Sequence, residues 1–374
     1  MKAMKTIICV VGARPNFMKI APIIEAMKQL SESINPYLVH TGQHYDEEMK
    51  HRFFEQLGIP EPDMDLEVGS ASHAVQTAEI MLRFENIVEK IRPVAILVVG
   101  DVNSTIACAL VAVKLNIPVV HVEAGLRSYD RKMPEEINRV LTDSISDLLF
   151  ITEREAHDNL LREGIDASRI HFVGNVMIDA LYKNMPNAIP LSSVVTRSDD
   201  LKILMGEQGF GVLTLHRPSN VDNNSVLKSI LITIRDLSKQ LPIIFPIHPR
   251  TRARIISEGL SGIIDCPGII SLPPLGYLEM LGLLSKSRMV LTDSGGIQEE
   301  TTALGIPCLT LRENTERPIT VEQGTNTIVG TDPGRIRKEF DAVLKTGGKA
   351  GSIPEFWDGQ ASQRIVSILS SRFV

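Results

Sequence analysis

Residues 6–16 read Thr6-Ile7-Ile8-Cys9-Val10-Val11-Gly12-Ala13-Arg14-Pro15-Asn16, an apolar run, a glycine turn, and then a proline at a helix start. The run is β-branched and too continuous for a strand with one wet face, so it predicts a central strand covered on both sides. Pro15 suits the first turn of a helix, where a missing N–H costs nothing. The unit is therefore strand, tight turn, helix. It recurs along the chain.

Further strands are predicted at Tyr37–His40, Val94–Val99, Val119–Val122, Leu148–Ile151 and His171–Val173. Helical patterns lie between them, such as Pro15–Leu30 and Val102–Leu115, where the spacing of Ile106, Leu110 and Val113 predicts one shared apolar face. The polar stretch 184–200 reads as a connection over the surface. A second series follows at Gly211–Leu215, Ile243–Pro246, Ile269–Leu272, Met289–Leu291, Cys308–Leu311 and Thr327–Val329, closed by helices at Pro333–Leu344 and Ala361–Ser370. This alternation predicts an α/β fold of two Rossmann-like domains facing across a cleft, with boundaries near 174/175 and 360.

The chain has 374 residues, 43% of them hydrophobic and 22% charged, with a net charge of −6, which fits two ordinary globular cores. No apolar run reaches membrane-spanning length, and the start passes into a strand without a cleavable leader. The scattered cysteines Cys9, Cys108, Cys266 and Cys308 predict reduced thiols in a cytoplasmic protein. An acidic pI near 5.9 argues against nucleic acid held on a broad basic surface.

Polar and glycine-rich residues gather where predicted strands end: Gly42-Gln43-His44, Gly100-Asp101, Glu123-Ala124-Gly125, His216-Arg217, His248-Pro249 and Asp293-Ser294-Gly295-Gly296. Ligands of open parallel sheets bind outside those ends. The segment from Asp293 to Glu300 predicts a helix whose free amides could seat a diphosphate, with Glu300 facing a ribose. The residues alone leave a plain capped helix open. Arg14, Lys19, Arg127, Arg217, Arg312 and Arg317 are the candidate phosphate cations. Asp101, Glu123, Glu135, Glu136 and His216 are the acid–base candidates, since desolvation at a strand end would bring a carboxylate into a usable range. His121 and Glu123 alternate along one strand and could share a metal, but no further ligand stands at a recognisable spacing. Neither G-x-G-x-x-G after the first strand nor a P-loop is present.

These motifs carry a family resemblance. Gly12–Lys19, Thr41–His44, Gly100–Thr105, His121–Arg127, Pro134–Arg139, Leu215–Arg217, Asp293–Glu300 and Thr315–Pro318 together resemble the non-hydrolysing UDP-N-acetylglucosamine 2-epimerases from end to end. The resemblance implies a GT-B-type architecture whose last helix crosses back to the first domain. It also implies reversible epimerisation at carbon 2 of a UDP-sugar, without NAD, metal or other cofactor, in a homodimer. Catalytic positions fall on Asp101, Glu123, Glu135 and His216. Substrate contacts fall on Arg14, Lys19, Arg139, Leu275, Met280, Ser294, Gly295, Gly296, Glu300 and Arg317. Gln43, His44 and His248 match positions where a second UDP-sugar could regulate. A departure stands at Pro218-Ser219, where bacterial members commonly carry Arg-Glu. A glycosyltransferase of the same architecture, an epimerase of a modified UDP-sugar and a nucleotide-sugar-binding protein with no turnover are the alternatives.

Overall fold

A computed structural model describes residues 4–42 and 60–374. The chain divides into two compact units, Met1–Lys183 with Glu355–Val374, and Asn184–Pro354. The first unit runs β1 (Lys5–Val11), α1 (Arg14–Leu30), β2 (Ile34–His40), β3 (Met64–Asp65), α2 (His73–Ile91), β4 (Ala95–Val99) and α3 (Asn103–Lys114). It continues with β5 (Val119–Ala124), α4 (Pro134–Ile145), β6 (Leu148–Ile151), α5 (Arg154–Arg162), β7 (Ile170–Phe172) and α6 (Val176–Asn184). Its strands pair in the order β3-β2-β1-β4-β5-β6-β7, all parallel. The order reverses between β1 and β4, which is the place where such sheets open a crevice.

The second unit carries α7 (Leu191–Val194), α8 (Ser198–Leu204), β8 (Gly211–Thr214), α9 (Pro218–Val221), α10 (Asn224–Leu237), β9 (Ile243–Pro246), α11 (Pro249–Ser257), α12 (Ser261–Ile264) and β10 (Ile269–Leu272). Then come α13 (Tyr277–Leu284), β11 (Met289–Thr292), α14 (Gly295–Leu304), β12 (Cys308–Thr310), α15 (Pro318–Glu322), β13 (Asn326–Ile328) and α16 (Pro333–Thr346). Its sheet order, β10-β9-β8-β11-β12-β13, is again parallel and reverses between β8 and β11. Both units are therefore Rossmann-like. The last helix, α17 (Ala361–Phe373), packs on α1 of the first unit. Asp179 holds its N-terminus, accepting from the Ala361 and Ser362 amides at 3.1 and 2.7 Å and from Ser362 Oγ at 2.6 Å. The single tryptophan, Trp357, is buried just before it and donates to the Thr152 carbonyl at 3.2 Å.

Two expectations need correction. Helix α3 does not present one stripe through Leu110 and Val113: Leu110 is half-buried and Val113 exposed. Its small residues Ala107, Cys108, Ala109 and Ala112 are buried together with Ile106 and Val111, and the small side chains let the helix sit close to sheet and neighbours at once. The stretch 184–200 is not a simple surface connection either. Leu191, Val194 and the buried Val195, at helical spacing, pack into the core beside Phe210, Leu283 and Leu284. Among the described residues no helix is long and apolar enough to cross a membrane.

Gly282 on α13 tests that packing. A Cβ there would stand 1.8 Å from the Ile189 carbonyl oxygen, and Ile189 is itself pinned by its N–H to Leu278 O at 3.0 Å. Helix propensity alone would make Gly282→Ala stabilising by about 1 kcal/mol. Backbone overlap should win, and urea denaturation is expected to show a net loss of about 1–3 kcal/mol.

Candidate active site

In the first unit the candidate side chains surround the reversal between β1 and β4. Asn16 spans it: its Oδ1 accepts the Ala13 amide at 3.1 Å while its Nδ2 donates to Val99 O at 2.8 Å. Lys19, one turn further along α1, is buried with its Nζ 2.6 Å from Glu123 Oε2. Gly100 has φ +68°, and a Cβ there would lie 3.1 Å from Lys19 Nζ and 3.4 Å from Asn16 Nδ2. The next residue is Asp101. The Arg139 guanidinium, from α4, lies 2.7 Å from Asp101 Oδ2 and 2.9 Å from Glu123 Oε1. Asp101 and Glu123 are thus no bare carboxylates at a strand end; they share one cation, and Lys19 supplies another. Asp101 is the more open of the two, 24% exposed against 1%.

Glu123 reaches this position through a bulge. The register of β5 on β6 shifts between Val122 and Ala124, and Glu123 takes φ +69°, a left-handed backbone that is uncommon for any residue but glycine. Asp143 brackets the bulge: His121 Nδ1 lies 2.7 Å away, and the Gly125 amide and Arg127 Nη1 donate at 3.0 and 2.8 Å. Burial pushes the Asp143 carboxyl up, but His121 and Arg127 outweigh it and hold it below the usual range. His121 Nε2 donates to Gly100 O at 2.8 Å, which secures the turn carrying Asp101. The alternation that put His121 and Glu123 on one face is therefore broken, and both ring nitrogens of His121 are engaged. Arg127 also pairs with Glu163 at 2.6 Å, so it is spent inside the fold and is no phosphate cation. Glu135 and Glu136 separate as well. Glu136 is buried, accepting from the Ser128 and Tyr129 amides, whereas Glu135 is half-exposed one turn before Arg139.

In the second unit the reversal lies between β8 and β11. His216 Nδ1 stands 2.8 Å from the buried Asp293, and His248, at the start of α11, has its ring 5.9 Å from the His216 ring. Ser294, Gly295 and Gly296 open α14, whose first amides have no helical acceptor. Glu300 lies one turn inside this helix; burial, reinforced by Glu299 beside it and opposed by Tyr277, pushes its carboxyl up to about 8. Leu275 and Met280 are half-buried against the core that includes Leu283. Arg317 pairs with Glu299 at 2.7 Å. Arg312 grips Glu316 at 2.7 and 2.8 Å, and that pairing holds Glu316 near 2 against its burial. Gln43 and His44 lie outside the described residues, as does the side chain of Arg14.

The family model described as UDP-N-acetylglucosamine 2-epimerase matches residues 27–370. The chain belongs to that family. The UDP-N-acetylglucosamine 2-epimerase of Methanococcus maripaludis is 42% identical over 96% of this chain and 97% of its own. The UDP-2,3-diacetamido-2,3-dideoxy-D-glucuronate 2-epimerase of Pseudomonas aeruginosa is 40% identical over 97% and 99%. The Methanocaldococcus jannaschii UDP-GlcNAc 2-epimerase, solved with UDP-GlcNAc and UDP, is 42% identical with a TM-score of 0.87, covering 98% of this chain and 99% of that one.

Two stability measurements probe this epimerase-family site. Replacing Arg139 by Met leaves two carboxylates facing a neutral side chain, and calorimetry should show a loss of about 3–5 kcal/mol. Adding Glu123→Gln to that variant should recover part of it. For Glu300 the folded carboxyl, near 8, lies above its ordinary 4.5, so the folded chain keeps a proton that the unfolded chain loses. Stability should therefore fall as pH rises between these values. Glu300→Gln fixes the neutral form: its unfolding free energy should match the parent's near pH 5 and exceed it at pH 9 by up to about 5 kcal/mol. A difference independent of pH would contradict this.

Proposed function

We propose that the protein interconverts UDP-N-acetylglucosamine and UDP-N-acetylmannosamine by eliminating and re-adding UDP, with neither nicotinamide nor metal. The observation that carries this reading is the pair of carboxylates, Asp101 and Glu123, held on Arg139 at the sheet's reversal point. The hydrogen on carbon 2 has no neighbouring carbonyl, so direct deprotonation faces a prohibitive barrier. The bond from carbon 1 to UDP breaks first, and its electron pair leaves with the diphosphate. Ser294 and the Gly295 and Gly296 amides, with Arg14 and Arg317, stabilise that anion. Glu300 takes the ribose, and Leu275 and Met280 flank the uracil. The oxocarbenium ion left behind acidifies carbon 2, and a carboxylate takes the proton to give a glycal. Reprotonation from the opposite face and return of UDP yield the epimer.

Opposite-face chemistry needs more than one acid–base group. Asp101, the more exposed carboxylate, is the leading base, with Glu123, Glu135 and His216 as partners and Lys19 and Arg139 holding charge balance around them. The homodimer belongs to the same reading, supported by exposed Val75 and Leu82 on α2 and Ile137 and Leu141 on α4. Regulation by a second UDP-sugar at Gln43, His44 and His248 rests on the resemblance alone.

The Pseudomonas aeruginosa relative favours a second reading, the same chemistry on a UDP-diacetamido-glucuronate. One measurement separates the two: each UDP-sugar is incubated with the protein in heavy water and carbon 2 is followed by NMR. Deuterium entry with a new manno signal is expected for UDP-N-acetylglucosamine. Entry only with the uronate would favour the second reading, and binding without exchange in either would sink both. Asp101→Asn should keep UDP affinity and lose exchange by about 100-fold or more.

A further inference from the structure

We infer that Asp293 is a positioning residue that sets the tautomer and orientation of His216 and ties that ring to the first turn of α14. The inference rests on the acid–base role proposed for His216, and it concerns a residue to which that proposal gives no part.

Asp293 follows β11 directly and is fully buried, a placement that is costly for a carboxylate unless donors surround it. They do. The His216 amide lies 3.1 Å from Oδ1 and 3.0 Å from Oδ2, the Arg217 amide donates to Oδ2 at 3.0 Å, and Asn220 Nδ2 donates at 3.2 Å. Asn220 in turn donates to Leu311 O at 2.8 Å, just past β12. One carboxylate thus gathers the ends of β8, β11 and β12. Burial pushes its proton affinity up, but the His216 ring and these amides hold it below the usual carboxylate range.

The remaining partner is His216 Nδ1, 2.8 Å from Oδ1. An ionised carboxylate can only accept, so Nδ1 must carry the hydrogen. Nε2 is then left as the working atom, and it makes no hydrogen bond among the described residues. The ring is 38% exposed, so Nε2 has access to solvent while Nδ1 is anchored in the interior. Asp293 is also the residue before Ser294, whose amide donates to Thr292 Oγ1 at 2.9 Å, and Thr292 Oγ1 is 2.6 Å from Thr214 Oγ1 on β8. A shift of Asp293 would therefore move the ring and the opening amides of α14 together.

A plain structural staple would account for the backbone contacts but would be indifferent to the ring's tautomer. The test uses the full chain with nitrogen-15 in its histidines. In the parent protein the His216 ring should show hydrogen on Nδ1; hydrogen on Nε2 in the neutral ring would overturn the inference without any variant or assay. Asp293→Asn places a donor against Nδ1 and should turn the ring to the Nε2–H form. It should cut kcat for UDP-N-acetylglucosamine roughly 100-fold or more, with KM and UDP affinity changed less than about threefold. In a His216→Gln background the same substitution should cost less than about threefold. Equal losses in both backgrounds would make Asp293 a staple only. If the parent itself fails to turn over either UDP-sugar, the reading of the reaction falls, while the ring's tautomer still decides whether Asp293 sets it.

Discussion

Where the strand order of a parallel sheet reverses, the helices leave on opposite faces and a gap opens at the strand ends. In each unit of this chain a polar side chain reaches across that gap. Asn16 ties the β1 turn to Val99 at the end of β4, and Asp293 ties the end of β11 to the His216 and Arg217 amides after β8. Without those bridges the loops would carry unpaired amides and carbonyls, each costing free energy if buried. The candidate functional groups of both units hang from these two bridges. Lys19 follows Asn16 by one turn, and Ser294 follows Asp293 at once.

The charge arrangement in the first unit obeys a second constraint. Asp101, Glu123, Lys19 and Arg139 form a balanced set in which each cation meets a carboxylate within 3 Å. A buried set of this kind is weak evidence for stability, because desolvation consumes most of the Coulomb gain. Its geometry has another cost, the left-handed backbone at Glu123, of about 1–3 kcal/mol. Asp143 is what keeps that backbone in place, since it holds residues two before and two after the bulge. Strain and ion pairing converge where a reaction would need carboxylates at a fixed spacing, which is how such costs persist in folded proteins.

Much of the fold was legible in the chain. The apolar runs at Leu148–Ile151 and Ile243–Pro246 coincide with strands end for end, because a strand covered on both faces has no alternation to blur its limits. The strand-end positions of Asp101, Glu123, His216 and Ser294 followed from that. What was not legible depends on pairing across the sequence. Arg127 looks like a free cation until Asp143 and Glu163 are beside it, and the bulge at Glu123 appears only when β5 is laid against β6. Asp143 carried a faint signal, four residues beyond Arg139 and eight beyond Glu135 on one helix face. Nothing local announced that its partners lay on β5. Helix α3 poses a related problem: spacing points Ile106 inward, but only the close approach of sheet and neighbouring helices buries Ala107, Ala109 and Ala112 as well.

The accounting of cations bears on how an acidic chain could hold a diphosphate. Arg127 and Arg312 are consumed by Asp143, Glu163 and Glu316, and Lys19 and Arg139 are matched by Glu123 and Asp101. Arg317 is itself paired with Glu299. Among the described residues these cations are matched, so they add little net positive field for long-range attraction of a nucleotide at physiological salt. Recognition then depends on short-range groups that keep their direction when no ligand is bound. The opening amides of α14 have that property, since the helix fixes them and no side chain needs ordering. A preorganised seat also suits the proposed reaction, in which UDP would leave carbon 1 and return to it.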